Sequence, residues 1–313
     1  MRVVLAIVLV LGAVTIAAVA SGRPNAGGRL AVTVGPSPPK NFNADLWVVS
    51  PGHGAKPIVP TKRTGIRDPS WSPSGRQIAF TVARDPINER GLDIYVAGAD
   101  GRHRQRLTGA GAAEYTPAWS PNGRTIAFAR NRGAQAPSVW LMRPDGRGQR
   151  RVTYGSSPAW SPDARRLVFT NEHVLWVIGR DGSGRHRLTP QPTDPSCDFS
   201  GGESSDYEGA PDWSPSGRWI AFVRYCGSGE SGGEVDSIYV IHPDGTGLRR
   251  LTVGPVDDSP SWSPDGGRVA FVRLFHVAVV ARGGGTVRTL FALRRHEVYD
   301  VAWERGTNAK TRR

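Results

Sequence analysis

Carboxylate side chains recur just before a Trp-containing motif that repeats along this sequence, and a ring of such groups could bind cations. They stand out because the chain carries a formal net charge of +13. Converging carboxylates would attract a cation, a basic peptide or a basic segment of a partner protein, and calcium favours such hard oxygen ligands. A second interpretation is that acidic and hydroxyl residues suit turns leading into strands. The predicted ligand-binding set consists of these carboxylates and two tyrosines, each next to one of them in sequence: Asp68, Glu114, Tyr115, Glu208, Asp257, Asp258, Tyr299 and Asp300.

Signals for catalysis or for a resident metal are weak. The seven histidines are scattered, and His173 and His276, which occupy matching positions in two repeats, fit packing or capping roles better than metal ligation. No C-x-x-C pair is present to suggest zinc. Whether a metal binds is therefore unknown from the sequence, and we expect no cofactor, with calcium as the one candidate. An active site assembled from several repeats stays open as an alternative.

The positions of the two cysteines predict a disulfide. Cys197 lies in a long insert before one Pro-x-Trp motif, and Cys226 lies just after the following apolar strand. In the architecture derived below, both connections emerge on the same face and close together. An exported protein would meet an oxidising compartment, where such a pair forms a stable bridge.

The elements that must position these residues are repeats of about 40 to 50 residues. A short strand ends in Pro-x-Trp, and a Ser-Pro-x-Gly turn leads to an apolar strand; proline and glycine suit the φ angles of such a turn. A third strand and an Asp-Gly hairpin signal then precede a short fourth strand. Short strands at this period are typical of a β-propeller. The repeated tryptophans are Trp71, Trp119, Trp160, Trp213, Trp262 and Trp303.

Counting the strands predicts a six-bladed ring. The N-terminal unit shows the second, third and fourth strands of a blade but lacks the first, which we call strand a. The C-terminus supplies a strand a at Val301–Trp303. The two ends therefore complete one shared blade, which removes a sheet edge. The fold class is all-β, and the predicted organisation is a signal peptide or uncleaved anchor at 1–20, a linker at 21–28, the propeller at 29–304 and a basic tail at 305–313.

The repeated motif P-x-W-S-P-D-G-x-x-I-A-F, followed by x-I-Y-V and then L-T, resembles the WD-like propeller repeats of the TolB family. The resemblance covers about residues 29–304 and recurs five times. It implies a six-bladed propeller that acts in the cell envelope through protein contacts. TolB itself carries an α/β domain ahead of its propeller, where this sequence shows only the linker, so a role in a Tol-Pal system is not expected. Prolyl-oligopeptidase-like enzymes share the repeat but add an α/β-hydrolase domain.

The N-terminal segment predicts export. Residues 1–20 hold one basic residue, a long apolar run and Ala18-Val19-Ala20, which is typical of a secretory signal with its cleavage site. The same run approaches the length of a membrane span, so an N-terminal anchor is the alternative. We expect a periplasmic, cell-envelope or extracellular protein, and nucleic acid is a poor candidate partner for it.

Charge is distributed unevenly over the predicted ring. We call "top" the face that carries the candidate carboxylates and "bottom" the face of the Ser-Pro-x-Gly and Asp-Gly turns. The bottom is rich in arginine, which either discourages sheet-to-sheet association or attracts anionic envelope polymers or lipid head groups. The sequence thus favours a monomeric, exported, non-enzymatic propeller that binds an envelope protein or peptide. The alternative function is a carbohydrate-active propeller enzyme, a lyase or hydrolase, with its site in the top-face channel.

Overall fold

The computed structural model describes residues 28–36, 44–50, 53–61, 64–85, 90–109, 111–133, 135–189, 207–225, 236–254, 256–293 and 296–305. The predicted signal segment, most of the linker, most of the basic tail and both cysteines lie outside these ranges, so their roles stay predictions. Within them the secondary structure consists of strands. A helix with the length and apolar character needed to span a membrane is not found in this part of the chain.

In these described ranges, twenty-four strands form six four-stranded antiparallel sheets. In chain order they are β1 (Leu30–Pro36), β2 (Asp45–Ser50), β3 (Gly54–Val59), β4 (Gly65–Trp71), β5 (Gln77–Asp85), β6 (Arg90–Gly98), β7 (Gln105–Arg106), β8 (Ala113–Trp119), β9 (Ile126–Asn131), β10 (Ser138–Met142), β11 (Arg150–Tyr154), β12 (Ser156–Trp160), β13 (Arg166–Asn171), β14 (Val174–Gly179), β15 (His186–Arg187), β16 (Tyr207–Trp213), β17 (Ile220–Tyr225), β18 (Ser237–Ile241), β19 (Arg249–Arg250), β20 (Asp257–Trp262), β21 (Arg268–Arg273), β22 (His276–Ala281), β23 (Arg288–Phe291) and β24 (His296–Trp303).

The six-bladed ring and its shared blade are confirmed. Blade 1 has the strand order β24-β1-β2-β3, and blades 2 to 6 follow as β4–β7, β8–β11, β12–β15, β16–β19 and β20–β23. Strand a of the blades is thus β24, β4, β8, β12, β16 and β20. Arg29 and Glu304 reinforce the closure, because the guanidinium donates to both carboxylate oxygens at 2.9 Å and the Glu304 N–H donates to the Arg29 carbonyl at 2.7 Å.

The repeated tryptophans and phenylalanines form the contacts between blades. Phe80, Phe128, Phe169, Phe222 and Phe271 occupy the second strand of blades 2 to 6 and are fully buried. Each tryptophan packs against the preceding blade, and alternate indoles also donate a hydrogen bond to it: Trp71 to the Ala302 carbonyl, Trp160 to Ala118 and Trp262 to Asp212, at 3.0–3.2 Å. Burying an aromatic side chain stabilises by about 1.5–3 kcal/mol, so each blade depends on its neighbour for its core.

Every strand a contains a β-bulge near the channel. In blades 2 to 6 the register shifts across the residue before proline and the proline itself, because proline lacks the N–H that the ladder requires. The residue before proline has φ of +47° to +52° in each of these blades. In blade 1 the shift leaves Tyr299 without a ladder partner. These bulges lie beside the candidate carboxylates and decide which of them face the channel.

The Ser-Pro-x-Gly turns form as predicted, including the one that lacks glycine. Ala164 occupies the glycine position of blade 4 with φ of +58° and donates its N–H to the Ser161 carbonyl at 2.9 Å. The turn type is therefore kept, and the alanine carries the strain of a left-handed backbone conformation.

Candidate functional site

The inner strands enclose a central channel of about 510 Å³. Its wall is formed by the segments around each bulge, and it includes Asp68 of blade 2, Asp258 of blade 6 and Asp300 of blade 1. Four members of the predicted ligand-binding set, these three and Glu208 of blade 5, therefore border one cavity. They come from consecutive blades around the ring, which is why positions far apart in sequence meet.

Asp300 connects three blades. Its Oδ2 accepts from the Thr33 hydroxyl at 2.8 Å and from the Asp68 N–H at 3.4 Å, and its Oδ1 accepts from the Ser259 hydroxyl at 3.3 Å. Burial raises the pKa of Asp300, and the charge of Asp258 adds to this shift. The carboxylate thus accepts hydrogen bonds from neutral donors in a place where its negative charge is costly, and the positive charge of Arg67 offsets part of that cost.

Asp68 lies beside Asp300, and its ionisation is affected in the same direction. Burial and the charge of Asp300 raise the pKa of Asp68 to about 6, against hydrogen bonds from the Thr81 hydroxyl at 2.8 Å and the Thr116 N–H at 3.1 Å. Asp258 completes the group: burial raises its pKa, while its Oδ1 accepts from the Tyr225 hydroxyl at 2.8 Å. The negative charge of the channel therefore grows as the pH rises through about 6.

Replacing Asp68 with asparagine should make the fold more stable at neutral pH. The native pKa lies above the unfolded value near 3.9, so the native state holds the proton more tightly, and this contribution to stability is lost as the pH rises from about 4 to 6. D68N removes the charge, and we expect a gain of about 1–2 kcal/mol at pH 7.5 and almost none at pH 4. Thermal melts across this range measure it. An equal effect at both pH values would show that the gain in stability does not come from removing the ionised Asp68 carboxylate.

Three other predicted residues form buried ion pairs. Glu114, Glu208 and Asp257 accept hydrogen bonds from an arginine sixteen residues later on the adjacent strand: Arg130 at 2.9 Å, Arg224 at 2.8 Å and Arg273 at 2.6 Å. Their carboxylates are fully buried, although Glu208 also borders the channel. Each negative charge is compensated within its own blade. We therefore leave these three out of the proposed ligand set.

The two predicted tyrosines differ in position. Tyr115 of β8 is partly exposed and pairs with Ala129 of β9. Tyr299 of β24 donates its hydroxyl to Glu297 at 3.2 Å, and burial together with the Glu297 charge raises the pKa of Tyr299 to about 12. Tyr299 also lies edge-on to Phe275, with ring centroids 6.2 Å apart. The second tyrosine thus belongs to the top rim of the ring.

Asp212 was not among the predicted residues, because it lies inside a Pro-x-Trp triplet rather than before it. Its Oδ2 accepts from the Trp262 N–H at 2.9 Å, and its Oδ1 accepts from Arg305 of the C-terminal tail. Ser70 and Ser261, at the same triplet position, accept the Trp119 and Trp303 N–H groups of the next blade. A polar residue between proline and tryptophan was the available signal. These contacts join neighbouring blades and bring Arg305 to the channel wall.

The remaining predictions concern metals and the bottom face. In the part of the chain that the structure describes, no group of three or more His, Cys, Asp or Glu side chains is arranged to hold a metal ion. His173 and His276 are both exposed beside turns. At the bottom, exposed arginines alternate with aspartates whose pKa values are lowered by hydrogen bonds within their own turns, so both charges persist there: Asp100, Asp163, Asp181, Asp244 and Asp265.

Comparison with known proteins places this architecture. Residues 40–174 match the TolB beta propeller domain family. An uncharacterized protein of Agrobacterium fabrum is 30% identical over 193 residues, which cover 59% of this chain and 63% of that protein. TolB from Acinetobacter baumannii superposes with a TM-score of 0.70 and 21% identity, covering 88% of this chain and 66% of TolB. An oligogalacturonate lyase in complex with manganese superposes with a TM-score of 0.52 and 13% identity, covering 79% of this chain and 70% of the lyase.

The two structural similarities show the fold. This chain spans less than two thirds of the length of both the Agrobacterium relative and the TolB chain. The repeats and the closed ring agree with these similarities: the chain is a six-bladed β-propeller, and part of it matches the TolB beta propeller domain family.

Proposed function

We propose that this protein is an exported, non-enzymatic propeller whose top-face channel binds a basic segment of a partner protein in the cell envelope. The observation that carries the proposal is the contrast between two sets of carboxylates. Glu114, Glu208 and Asp257 are each bonded to an arginine. Asp68, Asp258 and Asp300 share the channel and are held by hydroxyl and N–H donors.

A cationic side chain would relieve the cost of this arrangement. Burial and mutual repulsion raise the pKa values of Asp68 and Asp300, and a lysine or arginine placed among them would favour their charged forms. The rest of the protein is strongly basic, so a basic ligand is repelled elsewhere and concentrated at this mouth. The predicted signal segment and the likeness to TolB support an envelope location and a protein partner.

Binding of a fluorescent hexa-arginine peptide to the full chain tests this proposal by anisotropy at low salt. We expect D258N/D300N to weaken binding at least tenfold, and wild-type affinity to rise between pH 5 and 7.5 as the carboxylates ionise. D100N/D145N is the matched control, because it changes the net charge equally at exposed bottom turns; its affinity should stay within twofold. Equal losses in both variants would mean that the peptide senses only overall charge.

The natural partner can then be sought by cross-linking in envelope extract. Capture by wild type and its loss in D258N/D300N would place the partner at the channel. Loss of capture instead in R165S/R218S, which alters exposed bottom-face arginines, would move the site to the other face.

We also propose, as a second role, that the arginine-rich bottom face attracts anionic envelope polymers or lipid head groups. The R165S/R218S variant tests this role with anionic vesicles.

The carbohydrate-active alternative is favoured by two observations. The lyase shares the fold, and a carboxyl with a pKa of about 6, as in Asp68, is suited to general acid–base chemistry. A Gly-Glu-Ser-Gly-Gly stretch at 229–233 matches a nucleophile motif that acts in a strand-to-helix turn, and it lies outside the residues that the structure describes. Release of unsaturated sugars from acidic oligosaccharides, abolished in D68N, would support the enzyme instead of the binding module.

A further inference from the structure

Two large apolar side chains form the tip of the β21–β22 hairpin on the top face. Leu274 and Phe275 are 51% and 46% exposed, and both have positive φ, at 46° and 66°. Arg273 pairs with His276, so these two residues are the whole turn. A two-residue turn with both φ angles positive prefers Asn-Gly, and bulky side chains are disfavoured in that conformation. Leucine and phenylalanine are therefore unfavourable at this turn for two reasons, the backbone conformation and the exposure to solvent.

The fold itself does not require apolar residues at this turn. Blade 4 forms the same connection between Asn171 and Val174, with Glu172 and His173 at φ of 51° and 66°. Both of those residues are polar and exposed. The blade 6 turn keeps the same backbone but presents leucine and phenylalanine to solvent. This difference points to a role in contact with another molecule.

The apolar turn lies beside the channel mouth. The Phe275 carbonyl accepts from the Val298 N–H at 3.0 Å, and the Phe275 ring lies edge-on to Tyr299, the residue that precedes Asp300. Val253, in the connection that leads to β20, is 78% exposed, and its carbonyl lies 3.5 Å from Arg273 Nη2. We call Val253, Leu274, Phe275 and Tyr299 the apolar rim.

We propose that the apolar rim is the second half of the channel-mouth site and docks an apolar side chain of the partner. The partner is then an extended protein segment in which an aliphatic or aromatic residue lies within a few positions of a basic one. The carboxylates would bind the basic residue, and the rim would cover its apolar neighbour. This inference rests on the proposed function and adds which types of residue the partner segment contains.

Selection of linear twelve-residue peptides displayed on phage against the full chain tests the inference. Enriched peptides should contain lysine or arginine within four positions of leucine, isoleucine, phenylalanine or tryptophan. L274E/F275H transplants the blade 4 turn, and we expect it to bind the selected peptides at least tenfold more weakly with an unchanged melting temperature. L274N/F275G should weaken binding equally and raise the melting temperature by a few degrees, because its turn is unstrained.

The outcomes separate this inference from the proposed function. Basic peptides without an apolar residue, bound within twofold by L274E/F275H but lost in D258N/D300N, would overturn the role of the rim and leave the carboxylate site intact. Apolar peptides lost only in L274E/F275H would overturn the proposed basic partner. If selection enriches no peptide on the wild-type chain, or if both variants bind like wild type, the rim is not a docking site.

Discussion

Deleting residues 296–313 is expected to abolish the cooperative fold. The deletion removes β24, which pairs with β1 at seven positions. Strand β1 is then left without its partner on that side. Val298, Val301 and Trp303 are each at least 94% buried. Losing the burial of these three side chains alone should lower the free energy of unfolding by about 6 kcal/mol. That loss is comparable to the whole stability of an ordinary domain, roughly 5–15 kcal/mol. Circular dichroism during heating would show a broad transition or none.

The matched control deletes only residues 306–313. It keeps β24, the Arg29–Glu304 contact and the bond from Arg305 to Asp212, so its melting temperature should equal that of the full chain. A deletion from residue 296 that melts like the control would mean that the ring closes without β24, which the shared-blade account does not allow.

Replacing Arg224 with methionine is expected to give the largest loss among single substitutions. Glu208 and Arg224 are 0% and 3% exposed, and the carboxylate also accepts from the Thr189 hydroxyl and the Leu175 N–H. Removing one partner of a buried pair leaves an uncompensated charge and costs about 3–5 kcal/mol. Chemical denaturation at pH 7.5 measures the loss.

Acid should restore part of this stability. Burial raises the pKa of Glu208 even in the wild-type chain, and loss of Arg224 would raise it further, so the variant would take up a proton on folding and gain stability as the pH falls towards 5. R273M is the matched control, since Arg273 in the equivalent pair of blade 6 is 22% exposed and its removal should cost less. If R224M loses no more stability than R273M, burial is not what makes the blade 5 pair important.

The number of blades and the closure of the ring could be read from the sequence. The tryptophan motif, the Ser-Pro-x-Gly turn and the Asp-Gly hairpin are local signals, since proline and glycine fix particular φ angles wherever they occur. Six copies of strand a against five complete blades required that the two ends share a sheet, and the order β24-β1-β2-β3 confirms it. Local patterns suffice here because each blade contacts only its neighbours.

The division of the carboxylates could not be read in the same way. Asp257 and Asp258 are adjacent in sequence, yet the first is bonded to Arg273 and the second lies in the channel with Tyr225. Alternation along β20 sends these two neighbours to opposite sides, but the bulge at Ser259 and Pro260 shifts the alternation between them and the Trp motif, so the pattern does not tell which side faces the channel. The exposed Leu274–Phe275 turn was missed for a related reason, since apolar residues between two apolar strands look like a continuous core segment.

The sequence by itself therefore determined the architecture and the blade count, and it indicated four of the five acidic residues that line the channel in the described part of the chain, but not Asp212. Tertiary structure alone decided which acids are compensated by an arginine and which meet in the cavity. The physical reason is that compensation depends on pairing between strands, Glu208 with Arg224 for example, and convergence depends on contacts between blades, such as the Asp68 N–H with Asp300. Both are set by register and ring closure, which bring together residues as far apart as 275 positions along the chain.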